Sequence, residues 1–213
     1  MLTLVLGGAR SGKSRYAQSL CGASARVIYI ATARADEAAN DQEMQERIAR
    51  HRADRPADWQ TVEESLDLPR VVREAPVEAT LLIDCATLWL SNLMWECRAE
   101  TVAEQHRLIL ARVDDLIEAV RRRAEDPVVA GEVVIVSNEV GGGLAPEHPV
   151  GRAFRDLQGF ANQRLAQAAD RVILVVAGLP LLLKPNDIEL SGMRKQEKRI
   201  RNRRNERNKR KRP

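Results

Sequence analysis

The stretch LTLVLGGARSGKS, residues 2–14, decides the fold of this chain. Its first five residues form an apolar run, as is typical of a buried strand. Gly7, followed by four residues and then Gly12, Lys13 and Ser14, matches the pattern G-x-x-x-x-G-K-[ST] of a phosphate-binding loop. Glycines let backbone N–H groups turn toward phosphate oxygens, and the helix predicted from Lys13 on points its positive dipole end at the same anion. The stretch therefore predicts a strand, a nucleotide phosphate site and a helix in succession.

Three side chains have predicted roles around the phosphates. The ammonium group of Lys13 should reach the outer phosphates, and the hydroxyl group of Ser14 should ligate Mg²⁺. Asp84 ends an apolar segment, residues 80–85, where P-loop proteins carry a second acid for the metal site. We therefore expect Asp84 to hold Mg²⁺, directly or through water, opposite Ser14.

The composition favours one folded domain in the cytoplasm. The chain has 213 residues, enough for one α/β domain with a sizeable core. No apolar run approaches the roughly 18 residues needed to span a bilayer, and the chain starts without a signal-peptide pattern. Cys21, Cys85 and Cys97 are not spaced as metal ligands. We expect a protein without a membrane span, whose thiols are reduced and structural.

The basic character of the chain belongs to its last residues. Residues 185–213 contain 12 Lys and Arg against 4 Asp and Glu, a balance of +8, so that the rest carries −4 of the overall +4. This segment has almost no apolar residues, which predicts a disordered tail or a loose helix outside the folded domain at residues 1–184. Contact with nucleic acid or an acidic membrane surface through phosphate groups is one function open to the tail, and a merely solvated extension is the alternative.

Apolar segments alternate with helix-compatible segments along the chain. Strands are expected at residues 2–6, 26–32, 80–85, 132–136 and 171–177, with a short extended piece at 59–62. Residues 179–183 are a candidate sixth strand, and the adjacent Gly178 turn favours antiparallel pairing at a sheet edge. Helices are expected at 14–20, 36–54, 67–73, 101–124 and 151–169, and a buried helix or turn at 87–95. The pattern predicts an α/β fold with a mostly parallel sheet covered by helices on both faces.

Ligands of such sheets bind at the carboxyl ends of the strands. This rule brings together the loop at residues 7–14, Thr32, Asp84, Asn138 and Glu139. We therefore expect Asn138 and Glu139 to line the same site as the phosphate-binding loop.

His51 is the candidate nucleophile. It lies among Arg47, Arg50, Arg52 and Arg55, a basic cluster suited to phosphate groups. A neutral imidazole nitrogen can attack phosphorus and form a covalent phosphoramidate, which splits one transfer into two. The alternative for a single histidine in a charged helix is a solvated surface residue.

Six sequence blocks, in order, resemble one family. They are GGARSGKS, YIAT, EM-x-x-RI-x-x-HR-x-x-RP-x-x-W-x-T-x-E, L-x-D/E-C, SNEVG-x-G-x-x-P and R-x-FRD-x-x-G-x-x-NQ-x-LA-x-x-AD. Together they resemble the bifunctional adenosylcobinamide kinase / adenosylcobinamide-phosphate guanylyltransferase of cobalamin assembly. The resemblance runs from residue 2 to about residue 184.

The resemblance implies two reactions and a set of site residues. Members phosphorylate the aminopropanol hydroxyl of adenosylcobinamide with ATP or GTP. They then transfer GMP from GTP, through a histidine, to the substrate phosphate. By the family motif, the guanylylated histidine maps to His51. Some members have a second histidine just before it, where this chain has Arg50, so His51 is the only candidate in that block. The family's nucleotide contacts map onto Gly7, Gly8, Ala9, Arg10, Ser11, Gly12, Lys13, Ser14, Ala31, Thr32, Ala33, Arg52, Ala53, Asp54, Arg55, Glu63 and Asp84.

The resemblance also implies a RecA-like P-loop fold and a homotrimer. The acid at position 84 is often Glu in the family, and the shorter Asp84 leaves the contact geometry there open. Two other functions remain open at this point: a nucleic-acid-associated P-loop ATPase that uses the basic tail, and a non-catalytic nucleotide-binding module. Nucleic acid should stimulate hydrolysis by the first, and the second should bind GTP without releasing pyrophosphate.

Overall fold

The computed structural model describes residues 1–22, 24, 26–34, 56–124 and 130–185 of the chain. We number the elements of this described part in chain order. The strands are β1 (Leu2–Gly7), β2 (Val27–Ala31), β3 (Gln60–Glu63), β4 (Thr80–Asp84), β5 (Val133–Asn138), β6 (Arg171–Val176) and β7 (Leu179–Lys184). The helices are α1 (Lys13–Cys21), α2 (Leu68–Glu74), α3 (Ala86–Glu96), α4 (Val102–Arg123) and α5 (Pro149–Ala168).

The seven strands form one sheet in the order β3-β2-β4-β5-β1-β6-β7. All neighbouring strands pair in parallel except β6 and β7, which pair antiparallel at one edge. The predicted α/β fold, its mostly parallel sheet and its antiparallel edge strand are therefore confirmed. β1 lies near the middle of the sheet, so its carboxyl end opens between the ends of β5 and β6.

Helices cover both faces of the sheet, as predicted. Along β1, the side chains of Leu2, Leu4 and Leu6 join a core that also contains buried residues of α2, α3, α4 and α5. Val5 points to the opposite face and packs in a second core with Ala17 of α1. The alternation follows from the two-residue repeat of a strand, and it places α1 on one face and the other described helices on the second face.

The element boundaries differ from the sequence predictions by one or two residues. Cys85 is not the last residue of a strand but the N-terminal cap of α3, which resolves the helix-or-turn alternative at residues 87–95 in favour of a helix. The short extended piece at residues 59–62 is the edge strand β3, shifted by one residue. The helix predicted at residues 36–54 lies outside the described residues, as does the basic tail from residue 186 on.

No helix within the described part of the chain combines the length and the apolar character that crossing a bilayer requires.

Candidate functional site

The phosphate-binding loop connects the end of β1 with the start of α1. Gly12 caps α1 in the left-handed region, with φ of 92°, and makes no side-chain cap hydrogen bond to the first turn. A β-carbon on Gly12 would also lie 3.3 Å from the α-carbon of Gly178, in the β6–β7 turn. The uncapped N–H groups of the first turn of α1 are what an anion needs, because they carry the positive end of the helix dipole.

Gly7 and Ser11 pack against each other inside this loop. A β-carbon on Gly7 would lie 2.4 Å from Ser11 Oγ and 2.7 Å from the carbonyl oxygen of Val175, so only glycine fits there. Ser11 Oγ is buried and has no hydrogen-bond partner among the described residues. The Ser11 carbonyl accepts a hydrogen bond from Gly178 N at 2.8 Å, which ties the loop to the β6–β7 turn.

Lys13 lies across the loop that it follows. Its side chain is buried, and Nζ donates a hydrogen bond to the carbonyl oxygen of Gly8 at 3.1 Å. The ammonium group is therefore held over the turn formed by Gly8, Ala9 and Arg10, which are exposed. A bound phosphate group would meet this charge and the N–H groups of α1 together.

Asp84 lies at the carboxyl end of β4 and contacts two hydroxyl groups. Ser14 Oγ donates to Asp84 Oδ1 at 3.3 Å, and Tyr29 Oη donates to Asp84 Oδ2 at 2.9 Å. The described residues contain no group of three or more His, Cys, Asp or Glu side chains able to hold a metal ion by themselves. One hydroxyl and one carboxylate suit Mg²⁺, since this ion takes few protein ligands and completes its shell with water and phosphate oxygens.

Thr32 joins the end of β2 to the start of α3. Its buried hydroxyl donates to the carbonyl oxygen of Cys85 at 2.8 Å and accepts a hydrogen bond from Cys85 N at the same distance. The carbonyl oxygen of Thr32 accepts a hydrogen bond from Asn92 Nδ2 at 2.8 Å. Thr32 therefore fixes the relative position of β2 and Asp84, and its predicted contact with nucleotide stays a prediction.

Ala31, Ala33 and Glu63 lie on the side of Asp84 that faces the edge strand β3. Ala31 pairs with Asp84 on one side and with Glu63 on the other, so the carboxyl ends of β4, β2 and β3 are adjacent. Ala31 and Ala33 are half-buried, and Glu63 is exposed on the edge strand β3. The structure thus brings these three residues to the same edge as the loop.

Asn138 and Glu139 reach the loop from the other side. Asn138 pairs with Gly7, and Glu139 N donates to the carbonyl oxygen of Gly7 at 3.0 Å. Asn138 Oδ1 is buried without a partner among the described residues. Both residues therefore lie directly beside the phosphate-binding loop, where the sequence placed them.

A buried polar cluster that the sequence patterns did not predict lies behind Asn138. Asn162 Oδ1 accepts hydrogen bonds from Ser137 Oγ at 2.7 Å and from Gln158 Nε2 at 2.9 Å. Asn162 Nδ2 donates to the carbonyl oxygen of Asn138 at 3.0 Å, and Asn138 N donates to Thr87 Oγ1 at 2.7 Å. The only sequence signal was the four-residue spacing of Gln158 and Asn162, which puts both amides on one face of α5.

Tyr29 was also missed. Its hydroxyl contacts Asp84, yet the residue lies inside a strand that reads as wholly apolar. The contact depends on the pairing register of β2 and β4, which only the structure shows. Ala31 pairs with Asp84, and Tyr29 precedes Ala31 by two residues, so its side chain and that of Asp84 lie on one face.

Two buried thiols flank this region. Burial, followed by the nearby charge of Asp84, raises the pKa of Cys85 to about 11. Burial, followed by the charge of Glu132, raises the pKa of Cys21 to about 12. Both groups are therefore neutral thiols at physiological pH, as expected of structural cysteines.

The predicted nucleophile His51 and the predicted nucleotide contacts Arg52, Ala53, Asp54 and Arg55 lie outside the described residues. Their positions relative to the loop remain predictions of the sequence motif.

Comparison with known proteins identifies relatives over nearly the whole described chain. The family model described as cobinamide kinase / cobinamide phosphate guanyltransferase matches residues 3–183. The "bifunctional adenosylcobalamin biosynthesis protein CobU" of Salmonella typhimurium is 42% identical over 192 residues, covering 86% of this chain and 100% of that protein. The protein CobP of the same description from Pseudomonas aeruginosa is 41% identical over 186 residues, covering 86% of this chain and 98% of its own length.

Solved structures resemble the chain in fold. A prototypical ATPase from the type III secretion system of pathogenic bacteria aligns with a TM-score of 0.53 at 10% identity, over 81% of this chain. The chain spans about half the length of that ATPase, the matched share being 50%. This likeness shows the P-loop nucleotide-binding fold. The family model and the curated relatives describe enzymes of cobinamide and adenosylcobalamin metabolism, so the alternative of a nucleic-acid-associated ATPase is not favoured.

Proposed function

The chain belongs to the cobinamide kinase / cobinamide phosphate guanyltransferase family, and we propose how its residues carry out the two reactions of that family. The enzyme phosphorylates adenosylcobinamide and then converts the phosphate to adenosylcobinamide-GDP, as a step of cobalamin biosynthesis. The observation that carries the assignment to residues is the convergence of Lys13, the Ser14–Asp84 pair and the uncapped start of α1 at one sheet edge.

In the kinase step, the terminal phosphoryl group of ATP or GTP passes to the aminopropanol oxygen of adenosylcobinamide. The bond between that phosphorus and the leaving nucleoside diphosphate breaks as the new P–O bond forms, and the proton of the hydroxyl group is released to solvent. Lys13 and the N–H groups of α1 face the phosphates, and they stabilise negative charge that grows on the phosphate oxygens in the transition state. Because both donors are fixed by the fold, they need no rearrangement when that charge appears.

Mg²⁺ would be held by Ser14 and Asp84 together with phosphate oxygens and water. When bound, the ion supplies positive charge between the outer phosphates. Tyr29 orients the Asp84 carboxylate by donating to Oδ2, which leaves Oδ1 directed toward Ser14.

In the guanylyl step, a ring nitrogen of His51 attacks the α-phosphorus of GTP and pyrophosphate leaves. The phosphate of adenosylcobinamide phosphate then attacks the same phosphorus, and the N–P bond to His51 breaks. The basic residues Arg52 and Arg55 neutralise the phosphates in this scheme. The support for His51 is that it is the histidine of the family motif at residues 43–63.

Labelling tests the histidine assignment. The wild-type protein, incubated with GTP labelled at the α-phosphate, should acquire an acid-labile label that maps to His51. His51→Ala should remain unlabelled, and His106→Ala, a histidine whose Nε2 contacts the carbonyl oxygen of Ala153, should be labelled normally. An undiminished label on His51→Ala would reject the assignment.

We further propose a homotrimer in the cytoplasm. The edge strand β7 exposes Leu179, Leu181, Leu182 and Leu183, with Leu179 72% exposed, and apolar surfaces of this kind support association between copies. Cys21, Cys85 and Cys97 are free thiols, which suits a reducing compartment. Sedimentation equilibrium should give three times the chain mass, and Leu181→Lys should lower it toward that of one chain.

A further inference from the structure

A pocket lies where the end of α3 meets the starts of α4 and α5. It encloses about 510 Å³, a volume in the range of small-molecule sites, roughly 300 to 1,000 Å³. None of the site residues described above lines it apart from Asn92. Its walls belong to the helices on the sheet face opposite α1, so it is separate from the phosphate-binding loop.

The pocket has an unusually exposed apolar lining. Trp95 is 55% exposed, and Val102 and Val150 are also exposed. The guanidinium group of Arg98 lies 4.7 Å from the centre of the Trp95 ring and donates a hydrogen bond to the Trp95 carbonyl oxygen at 2.9 Å. This contact holds the indole in place as a flat surface, and flat apolar surfaces favour stacking of a conjugated ring.

Gln105 gives the pocket wall a hydrogen-bond acceptor. The side chain is 6% exposed, and Nε2 donates to the carbonyl oxygens of Cys97 at 2.9 Å and Glu100 at 3.3 Å. These two acceptors fix the orientation of the amide, so Oε1 points away from them. Oε1 is buried and has no partner among the described residues, so Gln105 forms a polar part of the pocket wall whose acceptor is unused by those residues.

Hydrogen bonds and an ion pair link the pocket wall to the end of β2, beside the predicted nucleotide site. Asn92, which lines the pocket, donates to the carbonyl oxygen of Thr32 at the end of β2. Arg34, two residues beyond Thr32, forms an ion pair with Glu96 of α3 at 2.9 Å. The wall of the pocket is thus bonded to the same strand end that borders Asp84.

We propose that this pocket binds one edge of the corrinoid ring of adenosylcobinamide. The proposal rests on the proposed function, which requires a macrocycle close to the phosphates and its aminopropanol arm within reach of them. A corrinoid offers a broad apolar face for Trp95 and peripheral carboxamide groups for the exposed polar side chains Ser91 and Glu100 of the lining. The nucleotide phosphates bind beside α1 and the corrinoid beside α3, so the two substrates meet at the sheet edge between them.

The test separates binding of the corrinoid from transfer chemistry. Equilibrium dialysis with adenosylcobinamide alone, read by its visible absorbance, gives the dissociation constant without nucleotide. Trp95→Ala should raise this constant and the KM for adenosylcobinamide about tenfold, because the largest exposed apolar surface of the pocket is lost. The KM for GTP and the labelling by GTP should stay within twofold. Val150→Glu, which places a carboxylate in the pocket, should also raise the dissociation constant and the KM for adenosylcobinamide.

Phe160→Ala is the matched control, since Phe160 is an exposed aromatic residue of α5 outside the pocket, and it should change neither constant. Unchanged corrinoid binding in both Trp95→Ala and Val150→Glu would overturn the proposal. So would an equal rise in the KM for GTP, which would assign the pocket to the nucleotide, or a change in assembly mass, which would assign it to a second copy. Absence of any transfer by the wild-type protein would instead overturn the proposed function, while dialysis would still show whether the pocket binds the corrinoid.

Discussion

Two polar centres at the carboxyl ends of the strands are built in opposite ways. In the loop centre, formed by residues 7–14 with Asp84, the first turn of α1 is uncapped and Ser11 Oγ lacks a partner among the described residues. In the β5 centre, formed by Ser137, Gln158 and Asn162, the amides and the hydroxyl bond to one another inside the core. The loop centre lies in an exposed turn, whereas the β5 centre uses its side chains to join β5 to α5 and leaves Gln158 Oε1 without a partner among the described residues.

This difference predicts that substitutions in the loop centre reduce activity and spare stability, whereas substitutions in the β5 centre do the reverse.

Lys13→Ala should have the largest effect. Removing the ammonium group should lower kcat/KM of the kinase step by roughly 10³-fold and should suppress labelling by GTP, because both reactions need the triphosphate held. The free energy of unfolding should change by less than about 1 kcal/mol. Steady-state kinetics and urea unfolding measure the two quantities. Ser19→Ala, an exposed residue of the same helix, is the control and should alter neither.

Asn162→Ala should be the strongest destabilising change. It removes the acceptor of Ser137 Oγ and Gln158 Nε2 and the donor to Asn138, so the free energy of unfolding should fall by about 2–3 kcal/mol. Activity of the folded fraction should fall much less than in Lys13→Ala. Urea unfolding followed by circular dichroism gives the value, with the exposed Gln163→Ala as control on α5. A stable but inactive Asn162→Ala would remove the distinction between the two centres.

Tyr29→Phe should have a smaller effect, on both steps, because both use the triphosphate site that Asp84 borders. The substitution removes the hydrogen bond that orients Asp84 and keeps the ring in the core. We expect kcat to fall about fivefold to tenfold, corresponding to roughly 1–1.5 kcal/mol, while binding of ATP in the absence of Mg²⁺ is unchanged. Tyr16→Phe, the other tyrosine, should behave as wild type. Equal loss of ATP affinity with and without Mg²⁺ would argue against a role through Asp84.

Ionisation of the buried thiol Cys85 should leave the free energy of unfolding unchanged near neutral pH and should lower it only in alkali. The pKa of Cys85 rises from its ordinary value of 9.0 to about 11 in the folded protein. The stabilisation that this pKa difference gives to the folded protein is fully present below the unfolded-state pKa of 9.0. It is lost as pH rises through about 11, because the unfolded chain loses the thiol proton first. Unfolding free energy should therefore fall more steeply between these values in the wild type than in Cys85→Ala.

Local sequence patterns were sufficient for the fold and for the loop centre. The glycines of the loop, Lys13 and Ser14 follow one another in the chain, so their spacing alone specifies their geometry. Asp84 was found because apolar strands with an acid at the end are visible in sequence. Even the antiparallel strand β7 was signalled by the turn at Gly178, which adopts φ of 81°.

The β5 centre and Tyr29 could not be predicted because their partners are distant in the chain. Asn162 meets Ser137 across 25 residues, and Tyr29 meets Asp84 across 55. Such contacts depend on which strands are neighbours and in what register, and apolar periodicity does not specify either. The same reason applies to the pocket beside Trp95, which exists only where three helices converge.

The central claim is that one triphosphate site supplies GMP to His51, which passes it to the corrinoid. A pulse–chase measurement tests it most directly: the protein is labelled with α-labelled GTP, freed of nucleotide, and mixed with adenosylcobinamide phosphate and excess unlabelled GTP. The account predicts that the label leaves the protein and appears in adenosylcobinamide-GDP during the first turnover, and that Lys13→Ala never acquires it. Label that stays on the protein while unlabelled product accumulates would contradict the account.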